Sequence, residues 1–149
     1  MAAVARQGLV EIRIASPRVT WRMEEAIVVE ASLVYLGQAP VVASGSGSGL
    51  VGFSVVQQGG PLRMEAGGTS DCVRYQLRPG PQAVAFSKSG GFSGDDPNAA
   101  FYRAFFADPD LHLPPGRWRI TAHVDLVLGQ ECGGEPTDPS ASIEIVVRP

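Results

Sequence analysis

Lysine and asparagine are almost missing from this chain: Lys88 stands alone beside eleven arginines, and Asn98 is the single asparagine. The codon usage of a GC-rich genome accounts for that skew without any arginine-specific chemistry. Because Asn98 is followed by Ala99 and Ala100, there is no Asn-x-Ser/Thr acceptor, which excludes N-glycosylation. Basic excess is missing too. A net charge of −3 leaves nothing to neutralise phosphates, and no face alternates basic with aromatic residues, so neither nucleic acid nor an anionic membrane is an expected partner. No apolar run approaches the ~20 residues that span a bilayer. Residues Met1 to Gly8 carry no apolar segment of the signal-peptide kind. The expectation is a monomer without membrane insertion, either cytosolic or the mature or trimmed part of a longer product.

Glycine and proline, by contrast, are plentiful: 18 Gly and 12 Pro against only 18% charged residues favour many short elements joined by turns over long surface helices. A chain of 149 residues suits one domain, here 1–149. At that size folding buries roughly 70% of the surface of the extended chain, enough for a core without a metal or cofactor. The clearest signal runs from Leu113 to Leu128. Pro115-Gly116 reads as a type II turn, after which Trp118, Ile120, Ala122, Val124, Leu126 and Leu128 share one face. Arg119, Thr121, His123 and Asp125 fall on the other, the period of a half-buried strand.

Similar alternation marks the other strands. Val10, Ile12 and Ile14 form a first strand, interrupted at Ser16-Pro17 and resumed by Val19 and Trp21. Ile27, Val29, Ala31, Leu33 and Tyr35 point inward from a central strand that ends at Gly37. Val51, Phe53 and Val55 pair as a hairpin with Leu62 and Met64 across Gln58-Gly59-Gly60-Pro61. Val73, Tyr75 and Leu77 precede the Arg78-Pro79-Gly80-Pro81 turn and a strand through Val84 and Phe86, and Ile143, Ile145 and Val147 form the last strand. Ser44 to Gly49, SGSGSG, is a flexible loop by composition, without the spacing of a phosphate-binding loop. Ser87 to Asp110 is irregular except for a short helix near 97–106, N-capped by Asp96 with Pro97 in its first turn and Phe101 and Phe105 on one face; a short strand through Phe101 to Phe105 is the competitor. Gly129 to Ser142 reads as a loop. The sum is an all-β, antiparallel sandwich of about seven to nine strands.

The order of these signals resembles the BsuPI-like family, immunoglobulin-like domains named after an intracellular proteinase inhibitor. The resemblance covers roughly residues 9–128. It rests on Pro17, Trp21 and Glu24-Glu25 ahead of the long apolar strand, on Ser48-Gly49 before Phe53 with Gly60 in the next turn, and on two Leu-x-Pro-Gly steps. These are Leu77-Arg78-Pro79-Gly80 and Leu113-Pro114-Pro115-Gly116, the second entering Trp118, Ile120 and Ala122. The insert from Ser87 to Asp110 and both cysteines depart from the pattern. The resemblance implies an immunoglobulin-like fold and, as one reading, a proteinase inhibitor presenting Ser87 to Pro97 or Gly129 to Ser142 to a protease cleft. The other reading is a non-catalytic bacterial module for protein binding or structural roles in the envelope or outside the cell.

Catalysis finds little support. Cys72 and Cys132 lack a second pair at metal-ligand spacing, and no flanking histidine or helix start would activate either thiol. A disulfide between them would close a loop of about 60 residues and favour an oxidising, extracytoplasmic compartment; two unpaired structural thiols are the alternative. His123 and Asp125 sit two residues apart on one strand face, where a solvated ion pair is the simplest outcome and no nucleophile motif accompanies them. His112 precedes the Pro-Pro-Gly turn. Asp95-Asp96, Asp108 with Asp110, and Glu131, Glu135 and Asp138 enrich three loops in oxygen ligands, but match no EF-hand spacing. The expectation is therefore no enzyme, no cofactor and no metal.

Overall fold

The computed structural model describes residues Met1–Pro149 as thirteen strands and one helix. In chain order the strands are β1 (Ala2–Gln7), β2 (Val10–Ala15), β3 (Thr20–Arg22), β4 (Glu30–Tyr35), β5 (Val41–Gly45), β6 (Val51–Gln58), β7 (Arg63–Met64), β8 (Val73–Leu77) and β9 (Gly80–Ala85). Helix α1 (Ala99–Ala107) follows, then β10 (Gly116–Val124), β11 (Leu126–Leu128), β12 (Pro136–Thr137) and β13 (Ser140–Arg148). They form three sheets, ordered β1-β2-β4-β9, β3-β13-β10-β6-β7 and β12-β11-β5-β8. All pairings are antiparallel except that of β3 with β13. No helix is long and apolar enough to cross a membrane.

One core joins the three sheets. Trp118, Ile120, Ala122, Val124 and Leu126 from β10 and β11 meet Val10, Ile12 and Ile14 from β2, Phe53 and Val55 from β6, and Ile143, Ile145 and Val147 from β13, all of them buried. The period-2 alternation read from the sequence is thus the division between core and outer face.

Where the sequence suggests one strand from the Pro115-Gly116 turn to Leu128, the structure has two. The strand begins at Gly116, where the turn places it, but the φ of +151° there is far from the ~+80° of a type II turn. It breaks at Asp125, whose N–H makes the last in-register bond on the β6 side by donating to Leu50 O at 2.9 Å. Before the break β10 lies between β6 and β13; after it, β11 lies between β5 and β12. The return strand bends at the same level, where Val124 N donates to Pro139 O at 3.0 Å. The β10–β13 hairpin therefore continues as β11–β12, exchanging β6 for β5 as its neighbour on one side. β12 lies inside the stretch that composition suggests is a loop, and β1 and β5 are likewise additional to the expected strands.

Two further expectations change. The central strand starts at Glu30 rather than Ile27, because its partner β2 ends at Ala15; Ile27 is buried but gives its N–H to Leu111 O at 2.8 Å. Val34, expected to face outward, is buried and is flanked in register by Glu11 and Pro81. The segment Ser44 to Gly49 is also held: Ser44 and Gly45 complete β5, and the rest is tied down as described below.

The helix falls where the aromatic spacing places it, shifted at its start. Asp96 is not the N-cap, because its carboxylate accepts the Asn98 N–H at 2.7 Å and closes a turn one step earlier, leaving Asn98 as the cap without a side-chain bond. Phe105 and Tyr102 are buried, Phe101 stacks on Phe105 with centroids 5.5 Å apart, and these rings meet Val55, Met64, Leu113 and Trp118. The helix's other end is closed by the single lysine. Lys88 Nζ donates to the carbonyls of Phe105, Asp108 and Asp110 at 2.6, 2.8 and 2.6 Å and stands 4.3 Å from the centre of the Phe105 ring. Burial lowers the lysine's pKa, opposed by Asp108 and Asp110. A cation at the carbonyl end suits the helix dipole as well as the orphan acceptors. Lys88→Met should cost about 2 kcal/mol, the scale of charged hydrogen bonds lost at partly buried acceptors. Urea unfolding would measure the loss, and hydrogen exchange should rise in residues 99–110 before it rises in the sheets.

Candidate functional site

Turns gather at the end of the molecule that carries the tip of the long hairpin. The tip runs from Gly129 to Glu135, between β11 and β12, and Cys132 within it is bonded to Cys72, which lies just before β8; their Cα atoms are 6.0 Å apart. The bridge read from the two cysteines as one of two alternatives is therefore formed, and no thiol is free. Both cysteines are solvent-exposed. Backbone ties reinforce the bridge: Gly129 N donates to Val42 O at 2.8 Å, and Arg74 Nε donates to Gln130 O at 3.0 Å. From the opposite side the β1–β2 turn reaches the tip, as Gln7 Nε2 donates to Pro136 O at 3.3 Å and Gln7 Oε1 accepts the Asp138 N–H at 2.9 Å. Between that turn and the tip lies an open cleft of about 540 Å³, with Leu9, Val127 and Leu128 as its apolar surface and Glu131 and Glu135 as its charges.

A second polar assembly fills the fork between β5 and β6. Ser46 Oγ accepts the Thr69 N–H at 2.7 Å and lies 2.7 Å from Ser48 Oγ, while Asp71 accepts the Gly47 N–H at 2.9 Å and the Thr69 hydroxyl. Tyr75 OH donates to Ser46 O at 2.6 Å. These bonds hold the Asp71 carboxyl below its ordinary range, the Thr69 hydroxyl first and the Gly47 N–H second. The Ser-Gly composition suggested freedom, but the hydroxyls themselves fasten the loop to the 69–71 segment.

Of the residues with catalytic potential, His123 and Asp125 line one open cleft with Glu65. His123 and Asp125 do not pair: the chain breaks at Asp125, and His123 Nε2 lies 2.8 Å from Ser54 Oγ on β6. Ser54 is 6% exposed, and the bond is a cross-strand contact between β10 and β6. His112 is elsewhere, its Nδ1 2.7 Å from Asp108 Oδ2 beside the helix's C-terminal end. The Asp110 N–H and then His112 hold Asp108 below the usual carboxylate range. No group of three or more His, Cys, Asp and Glu side chains gathers at metal-binding distance. Of the two candidate inhibitor loops, Ser87 to Pro97 is folded back on the helix, with Phe92 stacked on Tyr102 and Phe106; residues 130–136 of the other are exposed. Sequence reasoning found the cysteines and missed Gln7, because a lone polar residue gives no local signal of a contact 129 residues away.

No family model, curated protein or solved structure matches this chain.

The bridge closes 60 residues, which on the chain-entropy view is worth roughly 4 kcal/mol. Reduction should lower the melting temperature by about 10 °C at this chain length, and thiol counting of the denatured, unreduced protein should find none. Burial lowers the pKa of His123, with Glu65 opposing. The unfolded chain then binds the proton more readily, so stability should fall as pH drops through the unfolded histidine pKa near 6.5 and towards the lower folded value. Urea midpoints between pH 8 and 5 should show that decline, and His123→Asn should flatten it.

Proposed function

We propose that this chain is a non-catalytic bacterial module with an immunoglobulin-like sandwich fold, which binds a protein partner or serves a structural role in the cell envelope or outside the cell. The strand arrangement supports the fold reading. β2-β4-β9 lie in one sheet and β13-β10-β6 in another, an order like that of strands A-B-E and G-F-C. Splitting of the first strand at Ser16-Pro17 also fits, since β3 then runs parallel to β13 in the second sheet. Two positions of the family resemblance, Trp21 and Glu25, share a neighbour there: Arg18 bonds Glu25 at 3.1 Å and lies over the Trp21 ring. β8 is a departure, since it pairs with β5 instead of β9.

The observation that carries the functional reading is the exposed hairpin tip, held rigid by Cys72–Cys132 on one side and Gln7 on the other. Loops fixed at one end of a sheet scaffold are where such domains place recognition, and a pre-ordered loop loses less entropy on binding. A surface disulfide also favours an oxidising compartment. The burial of Ser54, the hydroxyl beside His123, supports a non-catalytic role.

Alkylating thiols in intact cells before lysis tests the location: Cys72 and Cys132 should resist the reagent until a reductant is added, and labelling without reductant would overturn it. Purified protein should leave ester, peptide and glycoside panels unchanged, with turnover counting against the module. Stoichiometric inhibition of a serine protease would instead select the BsuPI-like inhibitor reading.

A further inference from the structure

β12 ends the sheet β12-β11-β5-β8, so β11 occupies one of its edges and no strand occupies the other. The groups on either side of Thr137, the Pro136 carbonyl and the Asp138 N–H, are nevertheless both bonded, and by the two halves of a single side-chain amide. A carboxamide is chemically a peptide group. In a strand, the carbonyl of residue i−1 and the N–H of residue i+1 turn to the same edge, where an added strand would bond them. Gln7 thus stands where the backbone of a neighbouring strand would stand. Unpaired edges invite pairing with another chain, and covering them is how native proteins suppress it.

What borders this edge narrows the neighbour. The cleft beside Gln7 offers apolar surface from Leu9, Val127 and Leu128, and Leu9 is 45% exposed. Glu131 and Glu135 are the only charged residues of its lining, and the nearby Arg6 and Arg74 are engaged as donors to the Gly8 and Gln130 carbonyls. An extended segment carrying both basic and aliphatic residues offers charges to the glutamates and apolar side chains to Leu9, Val127 and Leu128.

We propose that the β12 edge is a docking site for an extended, basic-aliphatic segment of a partner protein, which displaces the Gln7 amide and pairs with Pro136 O and Asp138 N. Gln7 is then a resident competitor that keeps the edge closed when no partner is present. This rests on the module reading and names the surface and the partner chemistry for it. With two backbone bonds and a few side-chain contacts, the affinity belongs in the micromolar-to-millimolar range.

The test uses the full chain with its disulfide intact, labelled with nitrogen-15 and titrated with the capped peptide Lys-Val-Lys-Val-Lys, with Glu-Val-Glu-Val-Glu as control. The basic peptide should give saturable amide shifts confined to residues 7–9 and 127–138, weakening as salt rises, while the acidic peptide gives none. Gln7→Ala should bind several-fold tighter, since it removes the competitor, and Glu131→Gln with Glu135→Gln several-fold weaker. If Gln7→Ala disorders the tip, the salt dependence and the glutamate variants on the Gln7 background decide. Equal binding of both peptides, unchanged affinity in an ordered Gln7→Ala protein, or no saturable shift would overturn the proposal. Shifts at another loop cluster would remove this site while leaving the module reading standing; no shift anywhere together with substrate turnover would remove both.

Discussion

Everything in this fold depends on β10 being paired on both sides while its one apolar face fills the centre of the core. Its ladders to β6 and β13 bond the backbone along most of its length, and Trp118, Ile120, Ala122 and Val124 then bury without leaving polar groups dry. Such a strand cannot slip by one residue, because the shift would exchange Ile120 for Arg119 in the core. Registers on either side are fixed as a result, and so is the position of the bend at Asp125. Leu126 continues the buried face past the bend, so the core is not interrupted where the ladder is.

The bend gives the molecule its third sheet. Past the in-register bond from Asp125 N–H to Leu50 O the hairpin leaves β6 and picks up β5, while the chain between β5 and β6 occupies the fork. That geometry explains why the Ser-Gly segment is so heavily bonded. A loop inside a fork has backbone groups turned away from any ladder, and Ser46, Thr69 and Asp71 satisfy several of them at short range. The same divergence carries the hairpin's tip away from the main sheet, which leaves it in need of other anchors.

How far the sequence reveals this follows from the range of each interaction. The alternations of β2, β6, β10 and β13 are legible because burial acts residue by residue with a period of two, and the Phe101–Phe105 spacing marks the helix for a similar reason. β1 is obscure because Ala2, Ala3 and Ala5 give a weak pattern, and β5 because Val41-Val42 runs into Ala, Ser and Gly. The break at Asp125 has no local signal, since it records a change of neighbour between β6 and β5. Cysteine is the exception among long-range contacts: two residues of a type this scarce advertise a partnership, although only strand order could bring Cys72 and Cys132 to one end. His123 shows the converse, for proximity in sequence suggested Asp125 and the sheet supplied Ser54.

The two anchors of the tip differ in chemistry, and the difference bears on how a module of the proposed kind would act. The disulfide is covalent and persists as long as the compartment stays oxidising. Gln7 contributes hydrogen bonds that exchange with water or another amide at little net cost, since the balance for such a bond is about 1 kcal/mol. A tip held by both is therefore stiff towards β8 and yielding towards β1. Binding at the yielding side need not deform the scaffold: the incoming backbone can replace one amide by another, while Cys132 keeps the acidic wall of the cleft in place. Rigidity and access, which usually compete in a recognition loop, are here assigned to opposite flanks of the same seven residues, Gly129 to Glu135.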